Sequence, residues 1–255
     1  MLTVLGPAKT IDTSPHHVNT IQTVPGFLDQ AETLMTLLKV LSPAELRSFM
    51  KISDKLAHAN FERIAAWKTD RHIPGEGLRA MLSFSGEVFN GLQARSLEKK
   101  DLEYAQEQVR ILSGLYGVLR PLDLILPYRL EMGTKMQNPS GSNLYDFWND
   151  TIPGEISKLT AETRGKVLIN LASNEYFKSI DPKNFPYWII TPVFREQDGD
   201  GFRNVTIYAK KARGMMLRFI IRNRIDDPEQ IKAFDDDGYY FNASLSGKDE
   251  WIFCR

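Results

Sequence analysis

Residues 167–179 read VLINLASNEYFKS, an apolar run that passes directly into small and polar residues. The first five positions have the length and the branched side chains of a buried β-strand. Ser173 and Asn174 are residue types that cap helices, and Glu175 would then lie in the first helical turn. The stretch predicts a strand-to-helix corner, and ligands often lie at such corners in sheets that contain parallel strands.

The segments on either side of this corner show no regular alternation of strand and helix. Short β-branched or aromatic runs predict strands at residues 2–5, 188–194, 205–208, 239–241 and 251–253. Apolar periodicity predicts helices at residues 28–40, 54–67, 100–113, 143–149 and 208–224, with a further helix start at Ser42-Pro43. This order favours the α+β class, as a mixed α/β fold with an irregular central sheet flanked by helices. No repeat or linker divides the chain, so we expect a single domain over residues 1–255.

The charge balance limits the classes of function. The 255 residues carry 32 Lys and Arg against 32 Asp and Glu. This excludes a globally basic nucleic-acid coat, although a local basic patch is compatible with it. The single cysteine, Cys254, excludes an internal disulfide. The sequence has no signal-peptide pattern and no apolar run near the roughly 20 residues of a membrane span, so we expect a cytoplasmic protein without a membrane partner.

The familiar catalytic and metal-binding motifs are missing from the sequence, including H-E-x-x-H, G-x-S-x-G and G-x-G-x-x-G. His16 and His17 are adjacent, which directs their side chains apart in most backbones, while His58 and His72 stand alone. Neither arrangement is typical of a metal site. We therefore expect no bound metal or cofactor.

The strongest charge feature is a basic segment at residues 202–225, which contains no acidic residue. At about 100° per residue, Lys211, Arg218 and Arg222 share one edge of a helix, and Lys210, Arg213 and Arg224 share another. Arg and Lys side chains placed in this way suit phosphates. The same helix could instead be a solvated one whose cations pair with the acidic residues at 226–237, and both interpretations remain open. A second stripe, at Arg47, Lys51 and Lys55, is interpreted as a solvated helix face.

The turn within LSGLYGVLRPLD, residues 112–123, carries two glycines. If residues 100–113 are helical, Gly114 ends that helix and Gly117 restarts the chain towards Arg120. Glycines in such a turn can expose backbone N–H groups to a phosphate, which is how helix-hairpin-helix elements hold DNA. The same pattern also joins packed helices, so a DNA-binding turn and a packing turn are both open.

Charged residues also occur singly near predicted element ends. Lys9 follows the first strand in GPAKT, and Arg129 and Glu131 lie in PYRLEMG. A lysine without a glycine-rich loop is not a Walker motif. At the corner described first, Glu175 and Lys178 would project from the sheet, although helix capping by the neighbouring side chains is the alternative there.

Several of these segments together resemble the YaaA family of bacterial peroxide-stress proteins. The matching blocks run in the same order over essentially the whole chain: LGPAKT, MKISDKLA, RILSGLYGVLRPLDLILPYRLEMG, NLASNEYFKSI, TPVF and YAKKARGMMLRFII. The family usually has Ser in SPAKT where this chain has Gly6.

The resemblance implies a cytoplasmic protein that limits peroxide damage, partly by keeping free intracellular iron low. It also implies DNA binding through a helix-hairpin-helix element and a basic cleft. By position, the hairpin would span Gly114 to Gly117, flanked by Ser113 and Arg120. The cleft would draw on the cations Lys9, Lys178, Lys210, Lys211 and Arg213, to which the basic segment adds Arg218.

Three functional hypotheses follow. The first is a stress protein, expected to be monomeric, that grips the phosphates of double-stranded or branched DNA without reading bases. The second is an enzyme acting on a phosphate-bearing or nucleic-acid substrate at Asn174, Glu175 and Lys178, with Glu175 as general base and Lys178 as anion anchor. The third, iron sequestration, is weakest because soft ligands and a ferritin-like Glu/His set are missing.

Overall fold

The computed structural model describes residues 1–14 and 20–255. The strands in chain order are β1 Leu2–Leu5, β2 Thr10–Ile11, β3 Leu78–Arg79, β4 Phe84–Ser85, β5 Val109–Ser113, β6 Gly117–Leu119, β7 Leu124–Ile125, β8 Val167–Asn170, β9 Trp188–Asp198, β10 Gly201–Arg203, β11 Tyr240–Phe241 and β12 Glu250–Cys254. The α-helices are α1 Leu28–Lys39, α2 Pro43–Met50, α3 Asp54–Ala66, α4 Ala80–Ser83, α5 Glu87–Leu92, α6 Lys99–Gln108, α7 Leu144–Trp148, α8 Thr151–Glu162, α9 Asn174–Phe177 and α10 Thr206–Arg222.

A mixed sheet of 8 strands forms the centre of the molecule, in the order β11-β12-β9-β8-β1-β5-β6 with β10 attached to β9. The five strands β12, β9, β8, β1 and β5 are parallel, and β11 and β6 pair antiparallel at the two ends of this order. The α+β prediction is confirmed. From β1 the chain proceeds to β5 on one side, whereas from β8 it proceeds to β9 on the other. The carboxyl ends of β1 and β8 therefore flank a topological switch point, where sheets of this kind bind ligands.

Helices α5 and α10 cross at unusually short range beside this sheet. A Cβ added at Gly214 in α10 would collide with the carbonyl oxygen of Val88 in α5, and one added at Gly91 would collide with the carbonyl oxygen of Lys211. Only glycine allows the two backbones to meet in this way. The contact fixes the first half of α10 against α5.

Residues 109–113, predicted as the end of a helix, instead form β5. The apolar positions Leu102, Ala105, Val109 and Leu112 do fit a helical period, but α6 ends at Gln108. All five residues of β5 are buried, because β5 lies inside the sheet beside β1. A strand that is covered on both faces has no alternation of buried and exposed residues, so the apolar spacing of Val109 and Leu112 could also fit a helix.

The helix-hairpin-helix prediction at residues 112–123 is wrong for a related reason. β5 and β6 form an antiparallel hairpin in which Ser113 pairs with Gly117, so strands and not helices border the turn. Residues 205–208, predicted as a strand, belong to the start of α10. Ile207 and Tyr208 there are 53% and 46% exposed, so this short apolar run has no sheet face to cover.

A buried hydrogen-bond network connects α3 to the hairpin. His72 is 2% exposed, and its Nδ1 lies 3.0 Å from the carbonyl oxygen of Thr69, which can only accept. Nδ1 is therefore the protonated nitrogen, and Nε2 accepts from the Tyr116 hydroxyl at 3.0 Å. The same hydroxyl accepts from Trp67 Nε1 and from the backbone N–H of Leu126. His72 is structural, and burial lowers its pKa.

We expect this histidine to make folding stability depend on pH. In the unfolded chain it takes up a proton below about pH 6.5, whereas the folded chain resists protonation to a lower pH. The unfolded state then binds more protons, so stability falls as the pH drops below about 6.5. Urea midpoints between pH 7 and pH 5 should decline less steeply in His72→Gln than in wild type. The control variant is His58→Gln, which removes an exposed histidine. If the urea midpoint of His72→Gln declined with pH as steeply as that of wild type, the prediction would be contradicted.

Candidate functional site

The glycine turn at residues 113–117 is closed to ligands. All five residues are buried, and the hydroxyl of Ser113 accepts the N–H groups of Leu115 and Tyr116 at 3.2 and 3.0 Å. A Cβ at Gly114 would collide with the carbonyl oxygen of Leu130. Gly117 has a φ of +66°, and a Cβ there would lie 2.7 Å from the Trp148 ring. The N–H groups expected to face a phosphate are engaged inside the protein, so this is a packing turn.

Arg120 is held by hydrogen bonds to its own chain. Its Nε donates to Oδ1 of Asp123 at 3.0 Å and its Nη2 to the carbonyl oxygen of Val24 at 2.9 Å. Asp123 is 1% exposed and also accepts from the Thr23 hydroxyl. Burial raises the pKa of this carboxyl. These bonds fasten the segment before α1 to the chain that follows β6, which is a structural role.

Arg218 is likewise engaged by its own chain. Its Nη1 donates to the carbonyl oxygens of Leu92 and Gln93, at 3.1 and 3.2 Å, and to the Ser96 hydroxyl at 2.9 Å. A cation that satisfies the last carbonyls of α5 stabilises that helix end. Arg224 pairs with Asp101 at 2.7 Å in the same manner. Arg218 and Arg224 therefore have structural roles, although these partners lie outside the acidic stretch at residues 226–237.

The first half of α10 is more open. Lys210 is exposed, and Lys211 Nζ lies 3.7 Å from Asp237, with both side chains of this pair partly accessible. Lys211 thus forms an ion pair with the acidic stretch. Burial raises the pKa of the Asp236 carboxyl there, and Arg218 and Arg222 lie near enough to oppose this larger effect. Arg213 is half-buried, and desolvation lowers its pKa.

Charged residues from three segments meet at the carboxyl edge of the sheet. Lys9, in the loop after β1, pairs with Oε2 of Glu131 at 2.7 Å. Arg129 Nη2 pairs with Oε1 of the same carboxylate at 2.8 Å. The Arg129 side chain is 17% exposed and that of Glu131 25%, whereas that of Lys9 is 63% exposed. The enclosed carboxylate of Glu131 thus pairs with two cations, the enclosed Arg129 and the exposed Lys9.

The corner after β8 completes this edge. Glu175 Oε1 accepts the backbone N–H of Gly133 at 2.8 Å, and the Glu175 carbonyl oxygen accepts from the Tyr145 hydroxyl at 2.9 Å. Lys178 is exposed, with Nζ 4.7 Å from the centre of the Tyr145 ring. Ser173 precedes α9 but makes no side-chain capping bond, and Asn174 is exposed. The alternative of side-chain capping by Ser173 or Asn174 is wrong, because no side-chain bond caps α9, and the Glu175 carboxylate accepts from Gly133, in the segment that contains Glu131.

Two buried phenols lie near these charges. Tyr128 hydrogen-bonds Ser113 at 2.7 Å, and burial raises the pKa of both Tyr128 and Tyr176. A Cβ at Gly6 would lie 3.5 Å from the Tyr176 ring and 3.9 Å from the Ser173 nitrogen. The position where the resembled family has Ser therefore borders the same corner.

Contacts through α5 connect this edge to the first half of α10. A Cβ at Gly86, just before α5, would lie 3.4 Å from Ala8, the neighbour of Lys9. At the other end of α5, Gly91 meets the backbone of Lys211. We define the carboxyl face by its cations Lys9, Lys178, Lys210 and Lys211, of which the first three are exposed and Lys211 is half-buried. Sequence patterns identified each of these lysines, but they gave no signal for the contributions of Gly133 and Tyr145.

Side chains that could ligate a metal do not cluster in the part of the chain that the structure describes. Across residues 1–14 and 20–255, no group of three or more His, Cys, Asp or Glu side chains is placed to hold a metal ion. His16 and His17 lie outside the described residues. Cys254 in β12 is buried, and burial raises the pKa of its thiol. None of the described helices combines the length and the apolar character needed to cross a membrane.

Comparison with known proteins identifies relatives along the whole chain. The model of a family described as peroxide stress protein YaaA matches residues 1–245. A UPF0246 protein of Hahella chejuensis is 47% identical over 255 residues, covering 100% of this chain and 99% of the relative. A UPF0246 protein of Paraburkholderia phytofirmans is 47% identical over 258 residues, covering 100% and 98%. The chain therefore belongs to the YaaA family of peroxide stress proteins.

Proposed function

We propose that the protein acts in the cytoplasm during peroxide stress, as a monomer that binds the phosphate backbone of double-stranded or branched DNA. The observation that carries the proposal is the carboxyl face, where four lysines from three separate segments occur, three of them exposed. Lysines on a continuous surface attract a polyanion and release its counterions. Backbone contacts position a protein on DNA without reading sequence. By limiting access to DNA, such binding complements the low free iron that the family resemblance implies.

The residues that support this proposal differ from those expected at first. Ser113, Gly114 and Gly117 are buried, and Arg120 and Arg218 are engaged by backbone carbonyls, so we leave all five out of the DNA-binding surface. Arg213 is half-buried, and desolvation lowers the pKa of its guanidinium, so it is also omitted. The remaining contacts are those of the carboxyl face.

A second surface supports the same function. Helices α2 and α3 form a two-helix hairpin joined by residues 51–53, with Lys51 in the left-handed region at a φ of 51°. Lys51 and Lys55 are exposed there, while Arg47 pairs with Asp54 at 3.1 Å. Lys51 and Lys55 have no ion-pair partner among residues 1–14 and 20–255, so both can contact a phosphate. We propose this pair as a weaker, additional contact.

Lys210→Ala combined with Lys211→Ala should weaken binding to duplex DNA about tenfold at moderate salt, independently of sequence. The slope of log affinity against log salt should flatten by about 0.9 for each phosphate that the variant no longer touches. Binding isotherms at several salt concentrations measure both effects. Folding should be preserved, since exposed charges stabilise by no more than about 1 kcal/mol.

The matched control is Lys99→Ala with Lys100→Ala, a pair of exposed neighbouring lysines at the start of α6 beside Asp101. The control should bind DNA like wild type. Absence of binding at low salt, or a flat salt dependence in wild type, would refute the DNA-binding proposal. An unfolded Lys210/Lys211 variant would instead assign these lysines to the fold.

A further inference from the structure

We propose that the enclosed part of the carboxyl edge, formed by Arg129, Glu131 and Glu175, is a binding site for a small molecule that carries a phosphate or carboxylate group. Lys9 and Lys178 form its rim and are shared with the proposed DNA-binding surface. The inference does not depend on DNA binding, because the inner residues are separate from Lys210 and Lys211.

The charges of this cluster favour an anion. Its three cations face only two carboxylates, and both oxygens of Glu131 are already occupied, by Lys9 and by Arg129. Lys178 has an aromatic ring as its neighbour and no carboxylate within 4.0 Å in residues 1–14 and 20–255. The site thus holds one cation in excess, and that cation is not neutralised by the protein itself.

Arg129 gives a second, independent indication. Its Nε is buried and finds no hydrogen-bond partner among the described residues, although Nη2 is paired with Glu131. Leaving a charged donor buried without a partner is costly, and a ligand acceptor that reached Nε through a shift of the Arg129 side chain would relieve that cost. A planar guanidinium presents its donors as a fork that suits the oxygens of a carboxylate or phosphate.

Enclosure decides the size of the ligand. The Arg129 and Glu131 side chains are 17% and 25% exposed, and this limited exposure favours a compact molecule over the backbone of a duplex. Their position at the ends of β1 and β8 is the switch point at which sheets of this topology bind ligands. The site therefore suits a small metabolite rather than a polymer.

Glu175 defines a second feature of the ligand. Oε1 accepts the N–H of Gly133, while Oε2 makes no hydrogen bond within the described residues. A carboxylate oxygen at the edge of a cationic site can accept a hydrogen bond from a hydroxyl or an ammonium group. We therefore expect a ligand in which a donor group lies next to the anionic group.

Calorimetric titration of the full chain with inorganic phosphate, phosphoserine and malate tests the proposal and separates phosphate from carboxylate ligands. At least one probe should bind wild type saturably in the millimolar range. Arg129→Met should weaken that binding about tenfold or more, because a charge-assisted hydrogen bond is lost. Lys178→Met should weaken it as well, and the exposed Lys248→Met should not.

DNA isotherms on the same variants distinguish this site from the proposed function. Arg129→Met should keep the DNA affinity of wild type, and the Lys210/Lys211 double variant should keep the affinity for the small probe. Unfolding midpoints show whether Arg129→Met is folded. If it is not, the affinities of Lys178→Met and Arg129→Lys for the small probe test the site instead. Wild type that binds none of the three probes, or folded Arg129→Met and Lys178→Met proteins that bind like wild type, would overturn the proposal.

Discussion

Gly117→Val is expected to lower the free energy of unfolding by about 3 kcal/mol or more. Two effects combine at this position. The φ of +66° belongs to the left-handed region, where a β-branched residue is strained. A new Cβ would also lie 2.7 Å from the Trp148 ring, in a core that cannot yield without repacking. Urea unfolding monitored by tryptophan fluorescence measures the loss.

Gly199→Val is the matched control for this substitution. Gly199 also has a positive φ, of +59°, but a Cβ there would meet nothing within 4 Å. It should therefore show the backbone strain alone, at about 1–2 kcal/mol. DNA affinity per folded molecule should be unchanged in Gly117→Val, since the turn is buried. Equal losses of stability in the two variants would contradict the packing role assigned to Gly117.

Tyr116→Phe should also destabilise the fold by about 3 kcal/mol or more. The lost hydroxyl serves three buried partners: it accepts from Trp67 Nε1 and from the N–H of Leu126, and it donates to His72 Nε2. Phenylalanine fills the same space but leaves two donors and one acceptor without partners. Each unpaired buried group costs about 1–3 kcal/mol.

Tyr104→Phe is the reference variant for this prediction, because it removes a single hydrogen bond. The Tyr104 hydroxyl donates to one acceptor only, the carbonyl oxygen of Ile225, at 2.7 Å. Its removal should cost about 1 kcal/mol. Denaturant midpoints of both variants, measured at pH 7 where His72 is neutral, compare the two losses. A Tyr116→Phe protein no less stable than Tyr104→Phe would show that the network contributes little.

Local sequence patterns predicted the elements whose structure depends on nearby residues. The strand at residues 167–171 and its corner are present, and the Ser42-Pro43 start forms a complete capping box with Glu45. Residues 109–113 could not be assigned in this way. Their apolar spacing satisfies a helix, and only the pairing with β1, more than a hundred residues earlier in the chain, makes them a strand.

The arrangement of the candidate site also depends on contacts between segments that are far apart in the sequence. Lys9, Arg129 and Glu131 were identified singly, but nothing local indicates that Lys9 and Glu131 form an ion pair at 2.7 Å. Arg218 illustrates the converse: its helical face was predicted, whereas the carbonyls of α5 that engage it were not. Periodicity gives the face of a helix and leaves open which element covers that face. Contacts between distant segments therefore separate structural cations from available ones.

The burial of Cys254 has a consequence for a protein that works in the presence of peroxide. Hydrogen peroxide attacks thiolates, and this thiol is enclosed in β12 with a raised pKa, so it stays protonated and out of reach. Seven of the eight methionines are buried too, Met50 being the partly exposed one. Folded, the chain presents almost no oxidisable sulfur to its surroundings. The burial of these sulfur atoms protects the folded protein from oxidation by peroxide, and the protein does not offer them as a reductant for it.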